Sequence, residues 1–60
     1  MTVTLTDMIK CVRREIVMRR GVYPRRVTSG HMKQADADRE TACMEAVLDL
    51  LEHMHVRENE

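Results

Sequence analysis

The sequence predicts an all-α protein: an antiparallel hairpin of two helices, with a short helical turn in the connection, that dimerises into a four-helix arrangement. Apolar residues recur three and four positions apart in two segments, and the two glycines and single proline fall between them. A chain of 60 residues without Trp or Phe builds only a small core, so we expect a partner subunit to supplement it. We predict one domain over residues 1–60, with helix 1 at about 5–20, the connection at 21–33 and helix 2 at about 34–55.

The first helix is predicted to begin near residue 5. Thr4 or Thr6 suits the N-cap because its hydroxyl accepts a backbone N–H bond, and the negative charge of Asp7 in the first turn favours the helix dipole. Cys11 and Met18 fall on the far side of the helix, either as exposed residues without a role or as a contact with another chain. The opposite side carries one apolar stripe, formed by Leu5, Met8, Ile9, Val12 and Ile16.

The connection is predicted to turn the chain because it contains every strong helix breaker. Gly21 suits the left-handed conformation that ends many helices, and a proline disfavours helical geometry in the residue before it, here Tyr23. Pro24 suits the first position of a new helix. We therefore predict one short helical turn from Pro24 to Ser29, which Gly30 ends.

The second helix is predicted to begin near Lys33 to Ala35. Cys43 and Leu50 widen its apolar arc beyond what helix 1 can cover, which predicts a homodimer, and Cys43 is interpreted as a small core residue. Residues 56–60 are predicted to form a frayed polar tail. The residues predicted to form the core and the dimer contact are Ile9, Val12, Ile16, Met44, Val47, Leu48, Leu51 and Met54.

The formal net charge of zero divides into a basic half and an acidic half. Residues 1–33 carry eight Lys and Arg against two acidic residues, and residues 34–60 carry two against eight. Attraction between the halves favours a folded-back hairpin or a head-to-tail dimer, although charges that only solvate two helix faces explain the division equally well. One side of helix 2 carries an acidic ridge, formed by Asp38, Glu45, Asp49 and Glu52.

Three Arg-Arg pairs suggest phosphate contacts, and a basic nucleic-acid-binding or transcription-modulating module is therefore one alternative. The connection exceeds the three- to four-residue turn of a helix-turn-helix, and the helix after it is acidic where a recognition helix is neutral or basic. Pairing of the arginines with the acidic helix 2 is the favoured interpretation. The pairs are Arg13 and Arg14, Arg19 and Arg20, and Arg25 and Arg26.

The connection is also the candidate partner-binding site. Tyr23 is the only aromatic residue, and Arg19, Arg20, Arg25 and Arg26 flank it; Tyr and Arg are the residue types most enriched at the energetic centres of protein interfaces. In the other interpretation, Tyr23 closes the end of the hairpin as part of the core and only the arginines meet a partner.

No motif indicates catalysis, a cofactor or a metal. His31, His53 and His55 lack the spacing of a tetrahedral zinc site, and no nucleophile with a base and an orienting acid can be assigned. A disulfide between Cys11 and Cys43 is disfavoured, because the absence of a signal peptide or membrane span predicts a cytoplasmic chain with reduced thiols. We therefore expect a binding protein rather than an enzyme.

Two segments resemble small phage and prophage proteins, most of them uncharacterised. They are Arg19-Arg-Gly-Val-Tyr-Pro-Arg-Arg-Val27 and Gln34-Ala-Asp-Ala-Asp-Arg-Glu-Thr-Ala-Cys-Met-Glu-Ala-Val47, and the resemblance covers about residues 9–51. Arg26 stands where an aromatic residue is common in that group, and Lys33 where a Ser or Thr cap is common. A functional association is with the phage-encoded anti-activator of quorum sensing, a small helical dimer that binds host proteins.

The resemblance implies a phage-encoded protein in the cytoplasm of the host cell that binds and inhibits or modulates a host protein, such as a transcriptional regulator. Composition and spacing favour the same class, a protein-binding homodimer without a membrane segment. The nucleic-acid-binding module described above is the alternative, and a structural phage component is a further one.

Overall fold

The computed structural model describes residues 1–58, and within that range the chain forms two α-helices and no strand. Helix α1 spans Leu5–Thr28, helix α2 spans Gln34–Glu58, and residues 29–33 connect them. The helices pack against each other in antiparallel orientation, since Thr6 lies beside His55 and Arg20 beside Glu45. The predicted all-α hairpin is confirmed.

A capping box fixes the start of α1. The Thr4 hydroxyl accepts a hydrogen bond from the Asp7 backbone N–H at 3.1 Å, and the Asp7 carboxylate accepts one from the Thr4 N–H at 3.0 Å. The two side chains thus each accept a hydrogen bond from a backbone N–H that has no acceptor within the first turn of the helix. Of the two predicted N-caps, the structure selects Thr4.

Helix α1 does not end near Arg20, and this part of the prediction was wrong. The helix continues through Gly21 and Pro24 for eight more residues, to Thr28. A proline inside a helix costs about 3 kcal/mol, because it lacks the N–H that the carbonyl four residues earlier would accept. The residues on either side of Pro24 face α2, since Tyr23 and Val27 are half-buried, and their packing offsets this local penalty.

Gly30 follows the end of α1, at the position where it was predicted to end a separate short turn from Pro24 to Ser29. Its φ of 79° lies in the left-handed region that glycine adopts without strain. The Gly30 N–H donates to the Val27 carbonyl at 3.1 Å and the His31 N–H to the Arg26 carbonyl at 2.9 Å, a complete Schellman motif. Residues 24–28 of the predicted helical turn are therefore the last part of α1, and the true connection is only five residues long.

Helix α2 begins within the predicted range, because Lys33 precedes its first residue and the Lys33 carbonyl accepts the N–H groups of Asp36 and Ala37. Its predicted end near His55 is too early. The helix continues to Glu58, so residues 56–58 of the predicted frayed tail are helical, whereas Asn59 and Glu60 lie outside the described residues. Neither helix of the described chain contains the long apolar run that a membrane span requires.

The core of the hairpin is small. Only Ile9, Ile16 and Ala37 are buried among the apolar residues of the described chain, and the hairpin measures 45 × 22 × 15 Å. Val47 and Met54 were predicted to lie in the core or the dimer contact, and α1 leaves them 45% and 48% exposed. The other predicted core residues are half-buried between the helices: Val12, Met44, Leu48 and Leu51.

Candidate protein-binding surfaces

One side of the hairpin, which we call the ionic flank, carries two of the three ion pairs that join the helices within the described residues. Arg13 Nη2 lies 2.9 Å from Glu52 Oε1, and Arg20 Nη2 lies 3.5 Å from Glu45 Oε1. The two arginines are seven residues apart on α1, and the two glutamates are seven residues apart on α2. The two pairs therefore lie one above the other along one side of the helix–helix contact. The acidic ridge predicted on α2 thus supplies acceptors for arginines of α1.

The opposite side, which we call the apolar flank, carries exposed apolar side chains that no part of the described chain covers. Leu50 is 62% exposed and Met8 is 36% exposed. At about 100° per residue, Val47 lies about 160° around α2 from Glu45, and Met8 lies about 140° around α1 from Arg13. Both therefore lie away from the ionic flank. The exposed residues of the apolar flank are Met8, Cys43, Val47, Leu50 and Met54.

Cys43 was predicted to be a small core residue, and that prediction was wrong. Its thiol is free and the residue is exposed at one end of the apolar flank, because α1 covers a narrower arc of α2 than the stripe occupies. Cys11 is also free and exposed. The two thiols are not joined to each other.

The predicted partner-binding arginines divide into two groups. Arg19 and Arg20 are engaged within the chain: Arg19 lies 2.9 Å from Glu15 and 3.7 Å from Glu40, while Arg20 pairs with α2 on the ionic flank. The hydrogen bond to Glu15 is the main reason why the pKa of the Arg19 guanidinium is raised. These two arginines contribute to the hairpin itself.

Arg25 and Arg26 form the second group, at the turn end of α1. Both are exposed, and within residues 1–58 no carboxylate oxygen lies within 4.0 Å of either guanidinium. Their position in the last turn of α1 suits its free carbonyl groups, which carry partial negative charge. Their guanidinium groups remain available to another molecule.

Tyr23 lies between the helices rather than on the outer surface. It is half-buried, its hydroxyl accepts a hydrogen bond from Arg19 Nη1 at 3.1 Å, and the Arg19 guanidinium carbon lies 6.0 Å from the ring centroid. An open groove of about 200 Å³ runs beside the ring, between Pro24 and Ala37. The geometry favours the interpretation in which Tyr23 closes the turn end of the hairpin.

The three histidines do not converge. Within the described chain no group of three His, Cys, Asp or Glu side chains is placed to hold a metal ion. His55 Nε2 lies 3.3 Å from the Thr6 hydroxyl at the open end of the hairpin, and His31 Nδ1 lies 2.7 Å from the Ser29 hydroxyl in the connection. The first contact joins the two helices, and the second lies within the connection.

The pairing of individual charges was not predicted. The sequence carried a usable signal, because Arg13 and Arg20 are seven residues apart and so are Glu45 and Glu52. The pairing also depends on the vertical register of the two helices, which follows from the length of the connection. That connection was predicted eight residues too long, so the partners could not be assigned.

The chain matches no protein-family model, and neither the curated proteins nor the solved structures contain a significant match to it.

Proposed function

We propose that this chain is a protein-binding module that works as a homodimer and binds a second, different protein through its turn end. The exposed apolar flank carries the proposal. Four large apolar side chains lie on one side of a small hairpin, each 36% to 62% exposed, and exposed apolar residues grouped on one side are typical of a contact with another protein. Binding, rather than catalysis, is the activity for which this surface is suited.

The accessible surface supports a second copy of the chain as the occupant of the apolar flank. A compact monomer of 7.0 kDa exposes about 4,000 Å² by the scaling of surface with mass, whereas this hairpin exposes 5047 Å². The excess of about 1,000 Å² is close to the roughly 800 Å² that each subunit buries in a stable interface of standard size. Pairing two apolar flanks gives the four-helix arrangement.

The second, different protein is proposed to bind at Arg25 and Arg26. Their free guanidinium groups favour an acidic surface on that protein, because Arg forms bidentate pairs with carboxylates. The resemblance of two segments to small phage proteins supports a narrower form of the proposal. In that form the partner is a host protein, such as a transcriptional regulator, that a phage-encoded chain inhibits in the host cytoplasm.

Nucleic-acid binding takes second place because α2 neutralises much of the basic surface. Six arginines occur in Arg-Arg sequence pairs, and three of them lie within 4.0 Å of carboxylates: Arg13, Arg19 and Arg20. We expect affinity for duplex DNA no tighter than about 10⁻⁴–10⁻⁶ M, decreasing steeply with salt. A salt-tolerant nanomolar complex with one DNA sequence, measured by fluorescence anisotropy, would establish the alternative instead.

The dimer is tested by placing a charge on each flank in turn. Leu50→Glu puts a carboxylate into the apolar flank, and Val17→Glu is a matched control, because Val17 is a 67% exposed aliphatic residue on the ionic side of α1. Sedimentation velocity at micromolar concentration should show a dimer for the wild type and for Val17→Glu, and a folded monomer for Leu50→Glu. A monomeric wild type, or equal effects of the two substitutions, would contradict the proposal.

The partner site is tested with two double variants of equal charge change. Arg25→Ala with Arg26→Ala removes the free arginines of the turn end, whereas Lys10→Ala with Arg14→Ala removes two exposed basic residues elsewhere on α1. A protein captured from host lysate is then purified and titrated against each variant. Binding should weaken about tenfold or more only for the turn-end variant, as expected for interface arginines. Equal binding to both variants would exclude the turn end.

A further inference from the structure

The residues that α2 contributes to the apolar flank extend from Cys43 to Met54, so their centre lies between Leu48 and Asp49. The middle of α2, which spans Gln34–Glu58, lies only two to three residues away. Two copies related by a twofold axis at this level therefore overlap along nearly the whole helix. The position of the apolar flank does not determine whether the second hairpin runs parallel or antiparallel to the first. The charge distribution distinguishes these two arrangements.

Charge is distributed unevenly along the hairpin. We define the turn end as residues 19–40, since the ion pair between Arg19 and Glu40 joins the two helices at its limit. These residues carry six Lys and Arg against three Asp and Glu. The rest of the described chain, residues 1–18 and 41–58, carries four Lys and Arg against six Asp and Glu. The turn end is thus a positive pole, and the remainder of the hairpin is negative.

We infer that two hairpins pack through their apolar flanks in opposite directions, so that the turn end of each copy lies beside the open end of the other. This inference rests on the proposed homodimer and adds its orientation. The opposite arrangement, with both turn ends on the same side, places two positive poles next to each other, and like charges across an interface oppose association. The antiparallel arrangement places each positive pole beside the negative part of its partner.

The orientation has a consequence for the turn end. At a rise of about 1.5 Å per residue, a twofold axis between residues 48 and 49 of α2 separates the two turn ends by about 45 Å. Arg25 and Arg26 of the two copies are then too far apart to act as one patch. Each dimer carries two independent basic ends, and each end accommodates one acidic partner.

The orientation is tested by a distance between spin labels. Thr28 is exposed at the last residue of α1, so Thr28→Cys in a variant with Cys11→Ser and Cys43→Ser places one label at each turn end. Double electron–electron resonance should give a distance of about 45 Å for the antiparallel dimer. A distance below about 25 Å in a dimer would overturn the orientation while leaving the proposed dimer in place.

The register is tested by a cross-link between chains. With the axis between residues 48 and 49, Cys43 of one copy faces position 54 of the other, so Met54→Cys in the Cys11→Ser variant should form an interchain disulfide with Cys43 under mild oxidation. The same two positions within one helix are about 16 Å apart, beyond the 7 Å limit of a disulfide. Cross-linking of Cys43 to Cys43, or a dimer without any cross-link, would overturn the register, and a monomeric protein would overturn the proposed function as well.

Discussion

The two flanks of the hairpin differ in whether their side chains find partners within the same chain. On the ionic flank, arginines of α1 meet carboxylates of α2 at 2.9 and 3.5 Å, and the charges of the two helices neutralise each other. On the apolar flank, Leu50 remains 62% exposed because α1 is too narrow to cover it. A helical hairpin can satisfy charges with long, flexible side chains, but it cannot bury a wide apolar arc without a further layer. The apolar flank is therefore the side that we propose a second copy covers.

The largest effect is expected where the apolar flank meets the core. Leu51 is half-buried, so Leu51→Asp places an unpaired carboxylate in a position that is apolar in both the hairpin and the proposed dimer. We expect the free energy of unfolding to fall by about 3 kcal/mol or more, with loss of the dimer. Urea titration followed by circular dichroism measures the change.

A matched control separates this effect from the addition of a charge. Val56 is 59% exposed and lies on α2 beside Thr6 and Lys10, away from the apolar flank. Val56→Asp should change the unfolding free energy by no more than about 0.5 kcal/mol, as exposed substitutions generally do. Similar losses for both variants would show that the apolar flank has no special role.

Tyr23 is expected to give the second largest effect, because it closes the turn end at which the two flanks meet. Tyr23→Ala removes a half-buried ring and should lower the unfolding free energy by about 3 kcal/mol. Tyr23→Phe keeps the ring and loses only the hydrogen bond from Arg19, so it should have a much smaller effect. If Tyr23 instead anchors a partner, alanine would leave the melting temperature nearly unchanged and weaken partner binding by about 2 kcal/mol or more.

We expect the ion pairs of the ionic flank to contribute much less to the free energy of unfolding. A double-mutant cycle with Arg13→Ala and Glu52→Ala isolates a pair whose side chains are 60% and 41% exposed. Exposed ion pairs contribute about 0.2–1 kcal/mol, and salt screens them. The coupling energy should lie in that range in 50 mM salt and disappear at 1 M. A coupling above about 2 kcal/mol that resists salt would remove the difference between the flanks.

Much of the fold followed from local sequence signals. Thr4 or Thr6 as the N-cap, with Asp7 in the first turn, predicted the start of α1, and Gly30 predicted the end of the helical turn before helix 2, because each signal acts through backbone groups within a few residues. Gly21 and Pro24 led to the wrong end for helix 1, because the outcome there depends on packing against a helix that is distant in the sequence. Their penalties are local, about 1 and 3 kcal/mol, and the packing of the following turn against α2 outweighs them.

The candidate site was predicted in part. Leu50 indicated an apolar arc wider than one helix can cover, and its exposure in the hairpin agrees with that interpretation. The division of the arginines could not be predicted, since Arg20 reaches Glu45 only in the register set by a five-residue connection. Contacts between helices depend on such lengths, whereas caps depend on residues already adjacent in the chain.

The smallest expected effect concerns the capping box, which lies at the open end and belongs to neither flank. Hydrogen bonds from the Thr4 backbone N–H and the Thr4 hydroxyl lower the pKa of the Asp7 carboxyl in the folded chain. In the unfolded chain the same carboxyl titrates near its ordinary pKa of about 3.9. A depressed pKa contributes stability that is fully present above the unfolded value and is lost as the pH falls through the folded value. Asp7→Asn, with Asp49→Asn as the exposed control, should therefore be less stable than the wild type at pH 6, and the difference should shrink below pH 4. Thermal melts at both pH values measure it, and a difference that is constant with pH, or the same for both variants, would show that the Asp7 charge does not stabilise α1.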